Sequence, residues 1–194
     1  MRIVMRIAKY PIENLILNRW SSRAMSGEPI KQEEFLCLIE AARWAPSSYN
    51  GQPWRFIYAH RDTSTWNKLF DLLIPINQSW VIRSAVLIVV ISKKTFEYNG
   101  QPSRTNLSDT GSAWQNFALQ GSAMGLIIHG LEGFDYDKAR KDLNIPDDYN
   151  VVMMVAVGKP GRKEDLPKEL QARENPSDRK PIDELIFEGE WKSK

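Results

Sequence analysis

Arg43-Trp44-Ala45-Pro46-Ser47-Ser48-Tyr49-Asn50-Gly51-Gln52-Pro53-Trp54 closes one periodic segment and opens another of a different period. Before it, Ile30, Phe35, Leu36, Ile39 and Ala42 recur at three- and four-residue steps. Glu33 and Glu34 stand where the positive start of a helix favours acids, so the pattern predicts a helix over 30–44. After it, Trp54-Arg55-Phe56-Ile57-Tyr58-Ala59 is aromatic and β-branched and reads as a strand. The connection is polar and sterically restricted. Pro46 and Pro53 fix their own φ and keep Ala45 and Gln52 out of the helical region, so Ser47, Ser48 and Asn50 are presented from a stiff backbone. Two readings stay open at this point: a loop that holds a planar, heteroatom-rich ligand, and an ordinary helix–strand turn, which is made of the same residue types.

On the N-terminal side, Pro11 suits a first helical turn, and the short apolar-periodic stretch through Ile16 and Leu17 should stop near Arg19. On the C-terminal side, helical spacing returns over 64–73, and residues 85–91 run without polar alternation, as in a strand covered on both faces. A polar excursion or lid follows over 92–108. Ser108 or Asp109 then caps a helix whose Trp114, Phe117, Ala118 and Gly121 share one face. Ile127-Ile128 reads as a short strand, 136–143 as a helix stopped before Pro146, and 151–157 as a second buried strand. The tail after Gly158 is rich in charge and proline, so it should build no core of its own and should lie on another surface, such as a partner subunit's. Strands and helices alternate without enough crossover units for a doubly wound sheet. The class expected is therefore α+β, with one domain over 1–194 whose last part, 159–194, is an extended tail.

With 194 residues, 42% of them hydrophobic, the chain can bury roughly 70% of its unfolded surface in one core. Its 26 basic and 24 acidic side chains give a net charge of only +2, without blocks of like sign, which argues against nucleic-acid or membrane-surface partners held by bulk electrostatics. The one cysteine, Cys37, allows neither an intrachain disulfide nor a cysteine-based metal site and reads as a small buried hydrophobe. Residues 85–91 are too few to span a bilayer, so a soluble, cytoplasmic protein is expected.

Two further stretches, Arg19-Trp20-Ser21-Ser22-Arg23 and Gly125-Leu126-Ile127-Ile128-His129-Gly130-Leu131-Glu132-Gly133-Phe134-Asp135, complete an ordered set with the Pro46–Asn50 loop. The set resembles the nitroreductase family of FMN-dependent oxidoreductases from about Arg19 to about Leu185. The resemblance implies a central mixed sheet flanked by helices and an intertwined homodimer whose C-terminal extension reaches the partner. It places Arg19, Trp20, Ser21 and Arg23 along the phosphate and ribityl chain of FMN, with Arg179 completing the phosphate site. It brings Pro46, Ser47, Ser48 and Asn50 from the other subunit against the flavin ring, sets Asn77 at the pyrimidine edge, and aims the backbone N–H groups of Leu131, Glu132 and Gly133 at N5. Two positions depart from it: Trp80 and Ser177 stand where relatives often carry a cation.

The residues' own chemistry runs alongside. Arg19 and Arg23, four apart with Ser21 between them, can converge on phosphate oxygens through charge-assisted bonds, although such a pair read alone is more often a solvated basic turn. His60 and His129 have no nucleophile or carboxylate at a recognisable spacing and read as structural. No glycine-rich dinucleotide loop is present, so NADH or NADPH would stack transiently on the flavin. The activity implied is transfer of reducing equivalents from NAD(P)H to a nitroaromatic, quinone or similar planar acceptor in alternating half-reactions, with no side chain as an essential acid or base. A flavin-binding carrier or sensor on the same fold is the alternative.

Overall fold

The computed structural model describes residues 6–191, so the last three residues of the 159–194 tail lie outside it. The sheet is built around β2 (Val86–Lys93), whose first seven residues are all buried. Its neighbours are β1 (Trp54–His60), β4 (Tyr149–Gly158) and β3 (Ile127–Leu131), in the order β1-β2-β4-β3. Every neighbouring pair is antiparallel, which corrects the expected mixed sheet. The reason lies in the connections. Between β1 and β2 the chain makes α3 (Trp66–Phe70) and α4 (Pro75–Val81) and returns to the end it left, with Arg61 N–H bonded to Ala85 O at 2.9 Å. The long helix α5 (Asn106–Ala123) does cross back along the sheet, but β4 separates the two strands it joins.

Alternation along β2 divides the core in two. Val86, Ile88 and Val90, with Val155 and Val157, face α2 (Gln32–Arg43) and α5 through Phe35, Leu38, Ala113 and Phe117. Leu87, Val89 and Ile91, with Met154 and Ala156, face Leu69, Trp80 and Val81 of α3 and α4 and Ala139 of α6 (Tyr136–Asp142). Both faces are covered, so β2 needs no polar residue before Ser92, and a one-residue slip would exchange the two cores. A bulge between Val90 and Ile91 shifts the register against β4 by one residue.

Several boundaries differ from the sequence reading. The segment 64–73 is helical only over α3. The helix expected after Ser108 starts at Asn106 with Thr105 preceding it, and Asp109 instead accepts from Thr105 Oγ1 at 3.0 Å and Ser48 N–H at 3.1 Å. The tail is not wholly extended: Lys163–Asp165 forms a turn of 3₁₀ helix, α7 (Lys168–Gln171) follows, and Leu166 and Leu170 are buried in the chain's own core. Cys37 is exposed, because Phe35, Leu38 and Ala42 define the buried stripe of α2 and position 37 points away from it. At the N-terminal end, α1 (Asn14–Asn18) stops at Arg19 as expected. Among the described residues no helix is long and apolar enough to cross a membrane.

α5 approaches β3 so closely that a Cβ on Gly121 would overlap the Ile128 side chain, whereas a Cβ on Gly111 of the same helix would meet nothing within 4 Å. Gly121→Val should therefore lose about 1–3 kcal/mol through overpacking. Gly111→Ala should be neutral or gain up to about 1 kcal/mol in helix propensity. Urea midpoints check both, and equal midpoints for the two variants would contradict the close helix–strand packing.

Candidate functional site

The loop after α1 is held by one buried carboxylate. Glu174, 6% exposed, accepts on Oε1 from Ser22 Oγ at 2.5 Å, Arg23 N–H at 2.8 Å and Ala24 N–H at 3.1 Å. The Arg23 guanidinium stands 3.9 Å from its other oxygen, which is buried and makes no hydrogen bond. A buried charge survives only with such compensation, so the donors of 22–24 cannot leave Glu174 without a large cost. Ser22 also contacts β3: its carbonyl can only accept, so His129 Nδ1, 3.0 Å away, carries the ring proton. Burial, opposed by that hydrogen bond, and the Arg23 charge bring the His129 pKa down to about 4, so the ring is neutral near pH 7. His129 packs against Trp80 of α4 with ring centroids 4.6 Å apart.

Beside this tether three guanidiniums converge. Arg6 donates from Nη1 to Arg19 O at 2.8 Å and Leu17 O at 3.1 Å, and from Nε to Ser177 O at 2.9 Å. Arg19 reaches Ser21 Oγ at 3.4 Å. Arg179 folds back onto Ser177 and Asp178. Burial, then repulsion from Arg6 and Arg179, lowers the Arg19 pKa. Burial and Arg179 do the same to Arg6, against a smaller opposing effect of Asp178. Among the described residues, no carboxylate lies within 4.0 Å of Arg6, Arg19 or Arg179 in an ion pair, so the mutual repulsion of the cluster is offset only in part, by the Asp178 charge near Arg6.

A second patch is reached through His129 and Trp80. Asn77 Nδ2 donates to Gly133 O at 2.9 Å, and Ile74 N–H reaches the same oxygen at 3.2 Å. A Cβ on Gly133 would come within 2.6 Å of Asn77 Nδ2 and 2.7 Å of Ile74, so α4 packing requires glycine there whether or not a ligand does. Leu131 has its side chain in the core, leaving only its backbone for a ligand, and Glu132 is exposed. The loop over 19–23, His129, Trp80, Asn77 and Gly133 thus form one connected series. Trp80, 1% exposed with its indole N–H sealed from solvent, does not present a donor in place of a cation. Trp20 lines a cavity of about 210 Å³ with Arg19, Ser122 and Leu126 at the end of α5.

Pro46, Ser47, Ser48 and Asn50 are not part of that series. Their loop leads into β1, whereas the series surrounds β3, and these strands are opposite edges of the sheet, three spacings of about 4.8 Å apart. The loop is strained: Tyr49, Asn50 and Gln52 have φ of 51°, 52° and 44°. Each costs on the order of 1–3 kcal/mol for a residue with a Cβ. Hydrogen bonds hold it in place, from Gln52 N–H to Ser47 Oγ at 3.1 Å and from Ser48 N–H to Asp109, while the Tyr49 ring stands edge-on to Phe96 at 5.8 Å. An open cavity of about 500 Å³ lies between Tyr49–Gln52, Arg55, Glu97 and Tyr98.

The sequence profile of the Nitroreductase family matches residues 16–75 and 63–159. The chain belongs to the nitroreductase family. A crystal structure of an oxidoreductase containing FMN is 40% identical, with a TM-score of 0.93 over 97% of each chain. Protein DrgA of Synechocystis is 30% identical over 79% of this chain and 84% of its own length. An Archaeoglobus fulgidus protein provisionally named an NADH dehydrogenase/NAD(P)H nitroreductase is 28% identical over 84% and 92%.

In this nitroreductase-family chain the sequence reading missed Glu174 and Arg6. Glu174 did carry a signal, since Leu166, Leu170 and Glu174 are spaced four apart and all are buried. Arg6 carried none, for its partners are carbonyls of remote segments.

The His129 environment gives a pH dependence. Below about pH 6.5 the unfolded chain binds a proton at this ring, while the folded chain binds it only near pH 4. Stability contributed by the neutral ring is therefore full above 6.5 and lost as pH falls toward 4, by about 3 kcal/mol in all. Unfolding of His129→Gln should show a flatter pH dependence across that window than the wild type, and identical slopes would contradict the assignment.

Proposed function

We propose that the chain is an FMN-dependent oxidoreductase that passes reducing equivalents from NADH or NADPH to a planar acceptor of nitroaromatic or quinone type. We further propose that it works as a homodimer with two shared flavin sites. The observation that carries this reading is the cluster of Arg6, Arg19 and Arg179, which makes no ion pair among the described residues and is linked through Ser22, His129 and Trp80 to Asn77 and Gly133. A dianionic phosphate is the group that relieves such a cluster, because each charge-assisted bond gains roughly 1.5–3 kcal/mol. The FMN in the 40% identical oxidoreductase and the provisional name of the Archaeoglobus relative support the same reading.

Bound FMN would supply the redox chemistry. The chain's residues bind and orient. Arg19, Ser21 and Arg179 take the phosphate, with Arg23 in a lesser part because Glu174 already partly neutralises it. Asn77, with one amide hydrogen committed to Gly133 O, keeps Oδ1 for an N–H of the pyrimidine edge. Gly133 N–H, which makes no hydrogen bond among the described residues, is a donor for N5, with the backbone of Leu131 and Glu132 beside it. Pro46, Ser47, Ser48 and Asn50 cover the ring from the second chain, which answers their distance from the rest of the series. Exposed Ile7, Tyr10, Ile16, Leu185 and Ile186 support an apolar interface that draws in the C-terminal segment. Dependence on NADH or NADPH, which are held inside cells, supports a cytoplasmic location.

Visible spectra of the FMN-loaded protein under anaerobic conditions test the reading. Rapid bleaching by NADH or NADPH, reversed by a quinone or nitroaromatic, is the result expected. Bound flavin that neither donor reduces would point to a carrier or sensor, and a protein that cannot be loaded with FMN would refute the assignment. Among variants, Arg19→Ala should weaken FMN binding roughly ten- to a hundredfold. Arg23→Ala should cost less, and fluorescence titration of FMN against each variant checks the order.

A further inference from the structure

We propose that Arg6 is a positioning residue that assembles the phosphate subsite by joining α1 to the C-terminal tail, so that the protein selects phosphorylated flavin over the bare nucleoside-like form. The inference rests on the FMN reading above. Among the described residues, the hydrogen bonds of Arg6 are the ones that link the Ser177–Arg179 segment to the end of α1: Nε holds Ser177 O, and Nη1 holds Leu17 O and Arg19 O. Among the described residues, Arg179 hydrogen-bonds within its own segment, to Ser177 and Asp178. Glu174 fixes the tail three residues earlier against Ser22 and Arg23, on the far side of Pro176. Arg6 therefore sets where Arg179 stands relative to Arg19.

The choice of residue is informative. Carbonyl oxygens accept from any donor, and a neutral amide would satisfy them without adding charge. A guanidinium instead brings a third cation beside two others, and burial and the neighbouring cations pull Arg6 and Arg19 below the usual arginine pKa. Arg6 also keeps Nη2, whose two hydrogens make no bond among the described residues, free for a further acceptor. A bridge that adds to the repulsion among the arginines and has donors to spare is matched to a multiply charged anion.

The test compares FMN with riboflavin, which shares the ring and ribityl chain but lacks the phosphate. Fluorescence titration of both ligands would be run on the wild type, Arg6→Ala and Arg6→Lys, with circular dichroism confirming that each is folded. The wild type should prefer FMN. Arg6→Ala should lose about tenfold or more in FMN affinity while riboflavin affinity stays within about twofold, and Arg6→Lys, which restores charge and donors, should recover part of the loss. Raising the salt concentration should narrow the gap between the wild type and Arg6→Ala. Equal losses for FMN and riboflavin, or no loss for either, would overturn the role of Arg6 while leaving the flavin reading intact. A wild type that binds both ligands equally would overturn the phosphate subsite itself, and this inference with it.

Discussion

Glu174 is the constraint on which the site depends. Its Oε1 accepts from the hydroxyl of Ser22 and the backbone of Arg23 and Ala24, so Glu174 dictates the path of a loop 150 to 152 positions earlier in the sequence. That path brings Ser22 O to His129, whose ring packs on Trp80, whose helix places Asn77 against Gly133. Breaking the tether leaves a buried carboxylate without its donors, which is among the costlier single changes a core can suffer. A flexible basic loop becomes a fixed one, and a fixed array of cations recognises a ligand where a mobile one would merely attract it.

Around this rigid frame the chain accumulates features that stability alone would not favour. Three arginines repel one another, and three residues with side chains hold positive φ in the loop before β1. Local departures of this kind concentrate at functional sites, where the surrounding fold over-determines them. Here the two departures lie at opposite edges of one sheet. In the proposed dimer, the cationic half of a site on one edge would meet the strained polar cover of the second copy's opposite edge.

The parts of the fold legible in the sequence were those set by local periodicity. The apolar run of β2, the stripe of Phe35, Leu38 and Ala42 on α2, and the aromatic start of β1 each carry their own structural period. Strand direction is different: it depends on how far a connection travels, and nothing in Trp66–Phe70 or Pro75–Val81 shows that those helices return to the end of the sheet they left. The charged composition of the tail predicts no core of its own, yet Leu166 and Leu170 reach the core of the chain itself. Cys37 was misplaced for the converse reason, since a small apolar residue in a helix is buried only if it lies on the right face. For the candidate site, an ordered resemblance singles out the Arg19–Arg23 and Asn77–Gly133 positions, and no pattern in the sequence shows that His129 and Trp80 connect them. Glu174 and Arg6 act across very long sequence separations, which no local pattern records.

The division of each site between two chains is the central claim, and mixed dimers test it most directly. Arg19→Ala damages the cationic half, and a combined Ser47→Ala, Ser48→Ala, Asn50→Ala variant damages the cover; each homodimer alone has two defective sites. Co-expressed with distinct affinity tags and purified through both, the two chains form heterodimers in which one site receives both defects and the other receives neither. Equilibrium titration should then find one tight FMN site per heterodimer, with the affinity of the wild type. Heterodimers that hold FMN no better than either parent would contradict a shared site and place the whole of it within one chain.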